Sequence, residues 1–119
     1  MKRDMDLIRK LLIRLESIKN EDQAMAPLTV EGYTKDQIGY HKYLLVDAGF
    51  AAGYDVTHDS SFIVQFELSH LTWDGQEFLA AARDETRWIK ARKMGEAVGG
   101  VGVTVLKQVL VKLALEQLG

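Results

Sequence analysis

The apolar residues of this chain change their spacing twice between residues 34 and 79. From Ile38 onward they recur every three or four positions, which is typical of an amphipathic helix, and Gly49 ends that pattern. As far as Leu68 they then alternate with polar or small residues, which is the period of a strand with one buried face. The helical spacing returns after Thr72. The sequence therefore predicts an α+β chain in which two helices flank a hairpin.

The alternating segment divides into two strands around a polar turn. The predicted strands cover residues 50–56 and 62–68, and residues 57–61 read Thr-His-Asp-Ser-Ser. Such turn-prone residues favour a hairpin loop of about five residues. An antiparallel hairpin with one buried face is the simplest interpretation.

The N-terminal third predicts one clear helix and a loop. Residues 4–18 place apolar side chains at helical spacing, and the aspartate that begins them is a suitable N-cap. Residues 20–32 lose the spacing, and the residues after Pro27 suggest a short extended piece rather than a long second helix. Thr34 and Gln37 have the spacing of a capping box, so the next helix begins there.

The C-terminal third predicts two helices separated by glycines. One long helix is expected from Thr72 to about Lys93, and residues 94–102 hold four of the chain's ten glycines, which break it. Residues 103–118 are apolar on more than one side. We expect that last helix to bury one side in its own core and the other in a partner, which predicts a homodimer through the C-terminal helices.

Length and charge limit the class of protein. At 119 residues the chain predicts a single domain over 1–119, with a core over 4–94 and a glycine hinge and apolar helix over 95–119. A net charge of -2 gives no global attraction for nucleic acid. The absence of cysteine excludes disulfides and Cys-based zinc sites and agrees with a cytoplasmic location. Charges interrupt the apolar C-terminal run, so no membrane span is expected.

Catalytic chemistry has no clear carrier in the sequence. His58, Asp59 and Ser60 are adjacent on a turn, so their side chains point in different directions and do not form a triad. The glycines of GEAVGGVGV follow a helix and lack the Lys-Ser/Thr ending of a phosphate loop. We expect no catalytic residue, no metal site and no cofactor, and a protein that is not an enzyme.

Two motifs carry a resemblance to a known fold. The blocks LLVDAGF and LTWDGQEFL stand on either side of the hairpin, and this arrangement resembles the winged-helix fold, whose recognition helix ends at a glycine and runs into a two-stranded wing. The resemblance implies a mainly helical, winged-helix-like α+β domain with a small antiparallel hairpin and a C-terminal helical extension. Together with the opening MKRDMDLIRKLL, the longer blocks IGYHKYLLVDAGF and LTWDGQEFLAAARDETRW also look like a family of small bacterial and phage proteins known only as a domain of unknown function.

The winged-helix resemblance implies a DNA-reading helix at residues 34–47. Its side chains away from the apolar stripe would lie in a major groove, where lysines meet phosphates and a glutamine reads an adenine edge. The candidate DNA-binding residues are Thr34, Lys35, Gln37, Tyr40, Lys42 and Tyr43. An exposed polar helix face is the alternative interpretation. His41 lies beside the apolar stripe and is expected to be packed and hydrogen-bonded.

A second cluster of cations follows in the next helix. It comprises Arg83, Arg87, Lys90, Arg92 and Lys93, and Trp88 lies among them. With an exposed tryptophan, this basic patch would bind a phosphate backbone or an acidic protein surface, although cations near a helix C-terminus also suit the helix dipole. Two functions follow from the sequence: a DNA-binding or transcription-regulatory accessory protein that contacts duplex DNA, or a protein-interaction module without nucleic acid.

Three features weigh against the DNA hypothesis. The segment 20–32 offers at best a short support helix before the predicted recognition helix. The predicted wing tip, residues 57–61, contains no Lys or Arg to meet a phosphate. Asp36 and Asp47 balance the two lysines of the recognition helix. Any contact with DNA is therefore expected to be local, weak per protomer and sensitive to salt.

Overall fold

The computed structural model describes residues 1–118, and these form six helices and one antiparallel pair of strands. The predicted α+β, mainly helical class is confirmed. The elements in chain order are α1 (Met5–Glu16), α2 (Glu21–Met25), α3 (Lys35–Asp47), β1 (Ala51–Asp55), β2 (Phe66–Leu71), α4 (Trp73–Ala82), α5 (Glu85–Ala97) and α6 (Val103–Leu118).

The chain divides into two compact units. The N-terminal unit is Met1–Gln76 and the C-terminal unit is Glu77–Gly119, so the boundary falls inside α4. The single domain predicted over 1–119, with its core over 4–94, stays a prediction.

α1 begins at the predicted cap. The Oδ1 atom of Asp4 accepts the backbone N–H groups of Asp6, at 2.9 Å, and Leu7, at 3.1 Å, which satisfies two donors that a helix start leaves unpaired. Leu7 and Leu11 are completely buried, as the apolar spacing requires. The helix ends at Glu16, two residues before the predicted end.

The segment after α1 contains no long second helix, as predicted, but it is not a loop throughout. A short helix, α2, replaces the expected loop because the side chain of Asn20 accepts the backbone N–H of Gln23 at 2.9 Å and caps it. The extended piece predicted over 28–30 is not a strand, and among residues 1–118 only β1 and β2 pair.

α3 has the predicted capping box and the predicted end. Gln37 N–H donates to Thr34 Oγ1 at 3.1 Å, and Thr34 N–H donates to Gln37 Oε1 at 2.8 Å. Gly49 follows the helix with a φ of +79°, a conformation that glycine adopts without strain. These local interactions fix both ends of α3, which is why the sequence predicts them well.

The hairpin is shorter than predicted and its loop is longer. β1 and β2 are antiparallel, with Asp55 opposite Phe66, so residues 56–65 form the loop and Phe62 and Val64 are not strand residues. Thr57 explains this: its backbone N–H donates to Asp55 Oδ1 at 2.8 Å, and its hydroxyl bonds both backbone groups of Gln65. These side-chain bonds replace further ladder bonds and leave the following residues outside the sheet.

The long helix predicted from Thr72 to about Lys93 is wrong, because the chain breaks it in two. α4 ends at Ala82, and Asp84 then starts α5 as an N-cap whose Oδ1 accepts the N–H of Arg87 at 2.8 Å. α5 continues past the predicted end to Ala97, and Gly99 follows it at a φ of +86°. α6 then buries Leu106, Leu110 and Leu113.

Candidate interaction surfaces

Lys42 is not on the exposed face of α3, where the DNA hypothesis requires it. The residue is only 4% exposed, and its Nζ lies 3.1 Å from Oε2 of Glu67 on β2. Lys42 stands four residues after Ile38 and three before Leu45, which are both buried, so the helical spacing itself places it on the inner face. The prediction that Lys42 is exposed is therefore wrong, although the helical spacing already indicated that it is buried.

The remaining candidate DNA-binding residues of α3 are divided between structural contacts and solvent. Thr34 and Gln37 use their side-chain oxygens in the capping box. Tyr40 and Tyr43 are half-buried, and the ring of Tyr43 lies edge-on to Phe66 with centroids 5.3 Å apart. Lys35 is exposed, so of the two candidate lysines of α3 it alone faces solvent.

His41 is packed and hydrogen-bonded, as predicted. Its Nε2 accepts the backbone N–H of Asp4 at 2.8 Å, and its Nδ1 lies 2.7 Å from the carbonyl oxygen of Gln37. Because Nε2 accepts, Nδ1 carries the proton and donates to that carbonyl. The ring thus joins the start of α1 to α3, which is a structural role.

Tyr33 lies beside the start of α1, and its surroundings change its acidity. Burial and then the negative charge of Asp4 raise the pKa of the Tyr33 phenol above its ordinary value of 10.0. Lys10 Nζ lies 5.6 Å from the ring centroid. The phenol is therefore a neutral group at physiological pH and is not poised for proton transfer.

The hairpin exposes apolar side chains. The side chain of Phe62 is fully exposed in the loop, and Tyr54, Val56 and Val64 are also exposed. Single exposed apolar residues are ordinary, whereas several on one hairpin make that hairpin a candidate binding surface. We call these four residues the hairpin apolar cluster. The period-two pattern gives no sign of this cluster, because it predicts that Phe62 and Val64 are strand residues.

The hairpin is also acidic. Residues 51–71, which form the hairpin, contain three Asp or Glu and no Lys or Arg, and the wider span 43–82 contains six Asp or Glu and no Lys or Arg. Asp55 and Asp59 lie in or next to the loop. Hydrogen bonds from the hydroxyl and backbone N–H of Thr57 lower the pKa of the Asp55 carboxyl below its ordinary value of 3.8, so this group is charged at neutral pH. A phosphate backbone would therefore meet carboxylates here.

The two units carry opposite net charge. Residues 1–76 contain eight Lys or Arg and twelve Asp or Glu, which gives a net charge of -4. Residues 77–119 contain seven Lys or Arg and five Asp or Glu, which gives +2. The unit that holds α3 and the hairpin therefore has the wrong sign for an electrostatic attraction to DNA.

The basic patch of α5 does not expose an aromatic ring. Trp88 is 3% exposed and packs edge-on against Phe78, so the expectation of an exposed tryptophan is wrong. Arg87 Nη1 lies 2.6 Å from Oε1 of Gln117 on α6, and the Arg92 guanidinium lies 6.0 Å from the Trp88 ring centroid. These two arginines are half-buried, whereas the other members of the patch, Arg83, Lys90 and Lys93, are exposed.

α6 has one buried and one exposed apolar side. Val111, Leu115 and Leu118 are exposed and follow one another at four-residue and three-residue spacing, which places them on one stripe. The stripe is the surface that the sequence assigns to a second copy. The homodimer itself stays a prediction.

Two further properties concern ions and membranes. Residues 1–118 bring together no group of three or more His, Asp or Glu side chains that could hold a metal ion. Within the same residues no helix has both the length and the apolar character needed to cross a membrane.

The chain is similar to proteins that are described as hypothetical or uncharacterized. Residues 2–102 match the family described as "Hypothetical protein (DUF2513)". An uncharacterized protein of Haemophilus influenzae is 32% identical over 121 residues, which cover 92% of this chain and 99% of that protein. No solved structure matches the chain.

Proposed function

We propose that this chain, which belongs to the DUF2513 family of hypothetical proteins, is a winged-helix-like protein-interaction module and not an enzyme. The observation that carries the proposal is the hairpin apolar cluster, with Phe62 fully exposed at the loop. Support for the winged-helix assignment comes from the order of α3, β1 and β2, in which the helix ends at a glycine and runs directly into the hairpin.

The chemistry of the hairpin indicates the kind of partner. Apolar side chains lose water when a partner covers them, and each fully buried Phe or Val side chain contributes about 1.5–3 kcal/mol. The surrounding span, residues 43–82, has six acidic and no basic residues. The complementary partner is therefore a protein with an apolar cleft bordered by Lys or Arg.

Site-specific crosslinking tests the hairpin as the binding element. A photo-reactive phenylalanine analogue at position 62 is expected to capture one protein reproducibly in cells, and the same group at Met25, which is also exposed, is not. The captured protein is then purified and its affinity for this chain is measured. Phe62→Ser is expected to weaken that binding at least tenfold, and Met25→Ser to leave it unchanged. Equal losses of affinity in both variants, or the absence of a captured protein, would reject the hairpin as the binding element.

A second candidate is DNA binding through α5 rather than α3. Exposed Lys90 and Lys93 on α5 favour it, together with the net charge of +2 in residues 77–119. Salt-titrated binding to random duplex DNA separates the two functions. The interaction module predicts no salt-dependent binding at low salt. Binding that is weakened by Lys90→Ala with Lys93→Ala, with a salt slope reduced by about 1.8 for two lost phosphate contacts, would favour DNA.

Lys35 provides the control for that DNA experiment, because it is the exposed candidate lysine of α3. If the salt slope decreases only in Lys35→Ala, the DNA contact lies on α3 instead.

The homodimer is tested separately by light scattering. Association through α6 predicts a dimer that Leu115→Ser converts to a monomer, and a monomeric wild-type chain contradicts it.

A further inference from the structure

The N-terminal unit contains a partly enclosed cavity beside α3. Its volume is about 340 Å³, and it lies among residues 27–30, α3 and β2. Its apolar lining includes Leu28, Val30 and Ile38, with the ring of Tyr33. A cavity of about 150 Å³ is enough to bind benzene, and ligand pockets begin at about 300 Å³. The cavity therefore has room for a small organic molecule.

One wall of the cavity depends on a close approach to Gly39. The carboxamide of Gln65 occupies the space that a Cβ atom at Gly39 would need, and its Nε2 donates to Asp36 Oδ1 at 3.2 Å. Gly39 and Gln65 both line the cavity. The hydrogen bond to Asp36 holds the Gln65 side chain in place, so this wall is built by specific contacts.

Lys42 supplies the polar end of the cavity. Its side chain is 5% exposed, and within residues 1–118 its ammonium makes one bond, to Glu67 Oε2 at 3.1 Å. An ammonium has three N–H donors, so two remain for another acceptor. The ammonium can therefore donate to a ligand oxygen in the cavity while it keeps its bond to Glu67. The Glu67 side chain is 45% exposed and keeps contact with water.

The charge of the lining favours an anion. Lys35 and Lys42 oppose Glu67, so the charged residues that line the cavity sum to +1. The nearby Asp36 carboxylate does not line the cavity and accepts a hydrogen bond from the Gln65 side chain. A carboxylate accepts charge-assisted hydrogen bonds from an ammonium, and these are about twice as strong as neutral ones. An apolar body attached to that carboxylate would lie against the aliphatic lining.

We propose that this cavity binds a small organic monocarboxylate with an aliphatic or aromatic body, its carboxylate on the two remaining N–H groups of Lys42. The site does not include the hairpin apolar cluster and does not rest on the proposed protein interaction. Absence of ligand binding would therefore not reject the protein interaction, and absence of the protein interaction would not reject the cavity site.

Methyl NMR titration tests the ligand class. Benzoate and hexanoate are added to the full chain, with benzamide and hexanamide as neutral probes of the same shape. The carboxylates are expected to produce saturable shifts of the Leu28, Val30 and Ile38 methyl groups, and the amides to bind at least tenfold more weakly. No saturable shift at the solubility limit, or equal binding of the amides, overturns the proposal.

Variants test the role of Lys42. Lys42→Met keeps the length of the side chain and removes its donors, and is expected to weaken benzoate binding at least tenfold. Lys19→Met, at an exposed position away from the cavity, is the control and is expected to bind as the wild type does. Val30→Phe fills the cavity without touching the ion pair and is expected to abolish binding, which keeps the test decisive if Lys42→Met does not fold. Unchanged binding in both cavity variants overturns the assignment.

Discussion

Both compact units of this chain bury an apolar core, but among residues 1–118 only the N-terminal unit also buries polar or charged residues. In the N-terminal unit, polar side chains join elements that are far apart in sequence: His41 on α3 binds the backbone of Asp4, and Lys42 pairs with Glu67. In the C-terminal unit, the fully buried Phe78 meets Trp88, and α6 buries three leucines. Directional bonds specify which residues meet, whereas apolar burial supplies free energy with less specificity.

The two units also differ in the sign of their net charge. The N-terminal unit has a net charge of -4 and an exposed apolar hairpin, and the C-terminal unit has +2 and exposed lysines on α5. The near-neutral total of -2 thus hides two surfaces with opposite preferences. The electrostatic attraction of a charged partner therefore depends on which unit it contacts and not on the total charge of the chain.

The largest expected effect tests the apolar packing of the C-terminal unit. Phe78→Ala removes a completely buried ring whose centroid lies 6.4 Å from that of Trp88. We expect a loss of about 3–5 kcal/mol in the free energy of unfolding, because the substitution leaves a cavity. Urea unfolding measures it. Trp73→Ala, at an exposed aromatic residue of the same helix, should change stability by less than about 0.5 kcal/mol. Similar losses in the two variants would contradict the burial argument.

An intermediate effect tests the polar links of the N-terminal unit. His41→Leu retains apolar volume and leaves the backbone N–H of Asp4 without its acceptor, so about 1–3 kcal/mol of stability should be lost. Hydrogen exchange should show the greatest loss of protection at the start of α1. His70→Leu, at an exposed histidine, is the matched control. If the two variants are equally stable, the bond to Asp4 does not stabilise the unit.

The smallest effect concerns pH and the hairpin loop. The Thr57 hydrogen bonds lower the pKa of Asp55, so the folded state favours the carboxylate. The resulting stabilisation is fully present above the unfolded pKa of about 3.8 and is lost as the pH falls through the lower folded value. Urea unfolding between about pH 5 and pH 2 should therefore show a smaller loss in Asp55→Asn than in the wild type. Asp59→Asn, in the same loop, is the comparison variant, and identical pH profiles for both would reject the role of Thr57.

The positions that the sequence predicted well depend on neighbours along the chain. The cap at Asp4, the capping box of Thr34 and Gln37, and the helix end at Gly49 are all satisfied by backbone groups within a few residues. The break between α4 and α5 had a local signal as well, since Asp84 caps α5. That signal was missed because the apolar spacing continued across the break.

The errors at the candidate surfaces have a different origin. Trp88 is buried and packs against Phe78. Phe62 is exposed because the hydrogen bond between Thr57 and Gln65 ends the strand pairing before Phe62. Neither fact follows from residue type, since tryptophan suits both an interface and a core. To predict either exposure, one needs the position of a side chain elsewhere in the fold.

By itself, the sequence determined the α+β class, the presence of the hairpin, the start of α1 and both ends of α3, because caps and hydrophobic spacing act over a few residues. Only the tertiary structure decided which charges and rings reach solvent. It paired Lys42, which the helical spacing already places on the inner face of α3, with Glu67, and it left Phe62 exposed. We therefore base the proposed function on an apolar, acidic hairpin rather than on a DNA-reading α3. Burial depends on what other elements place against a side chain, and that information is non-local.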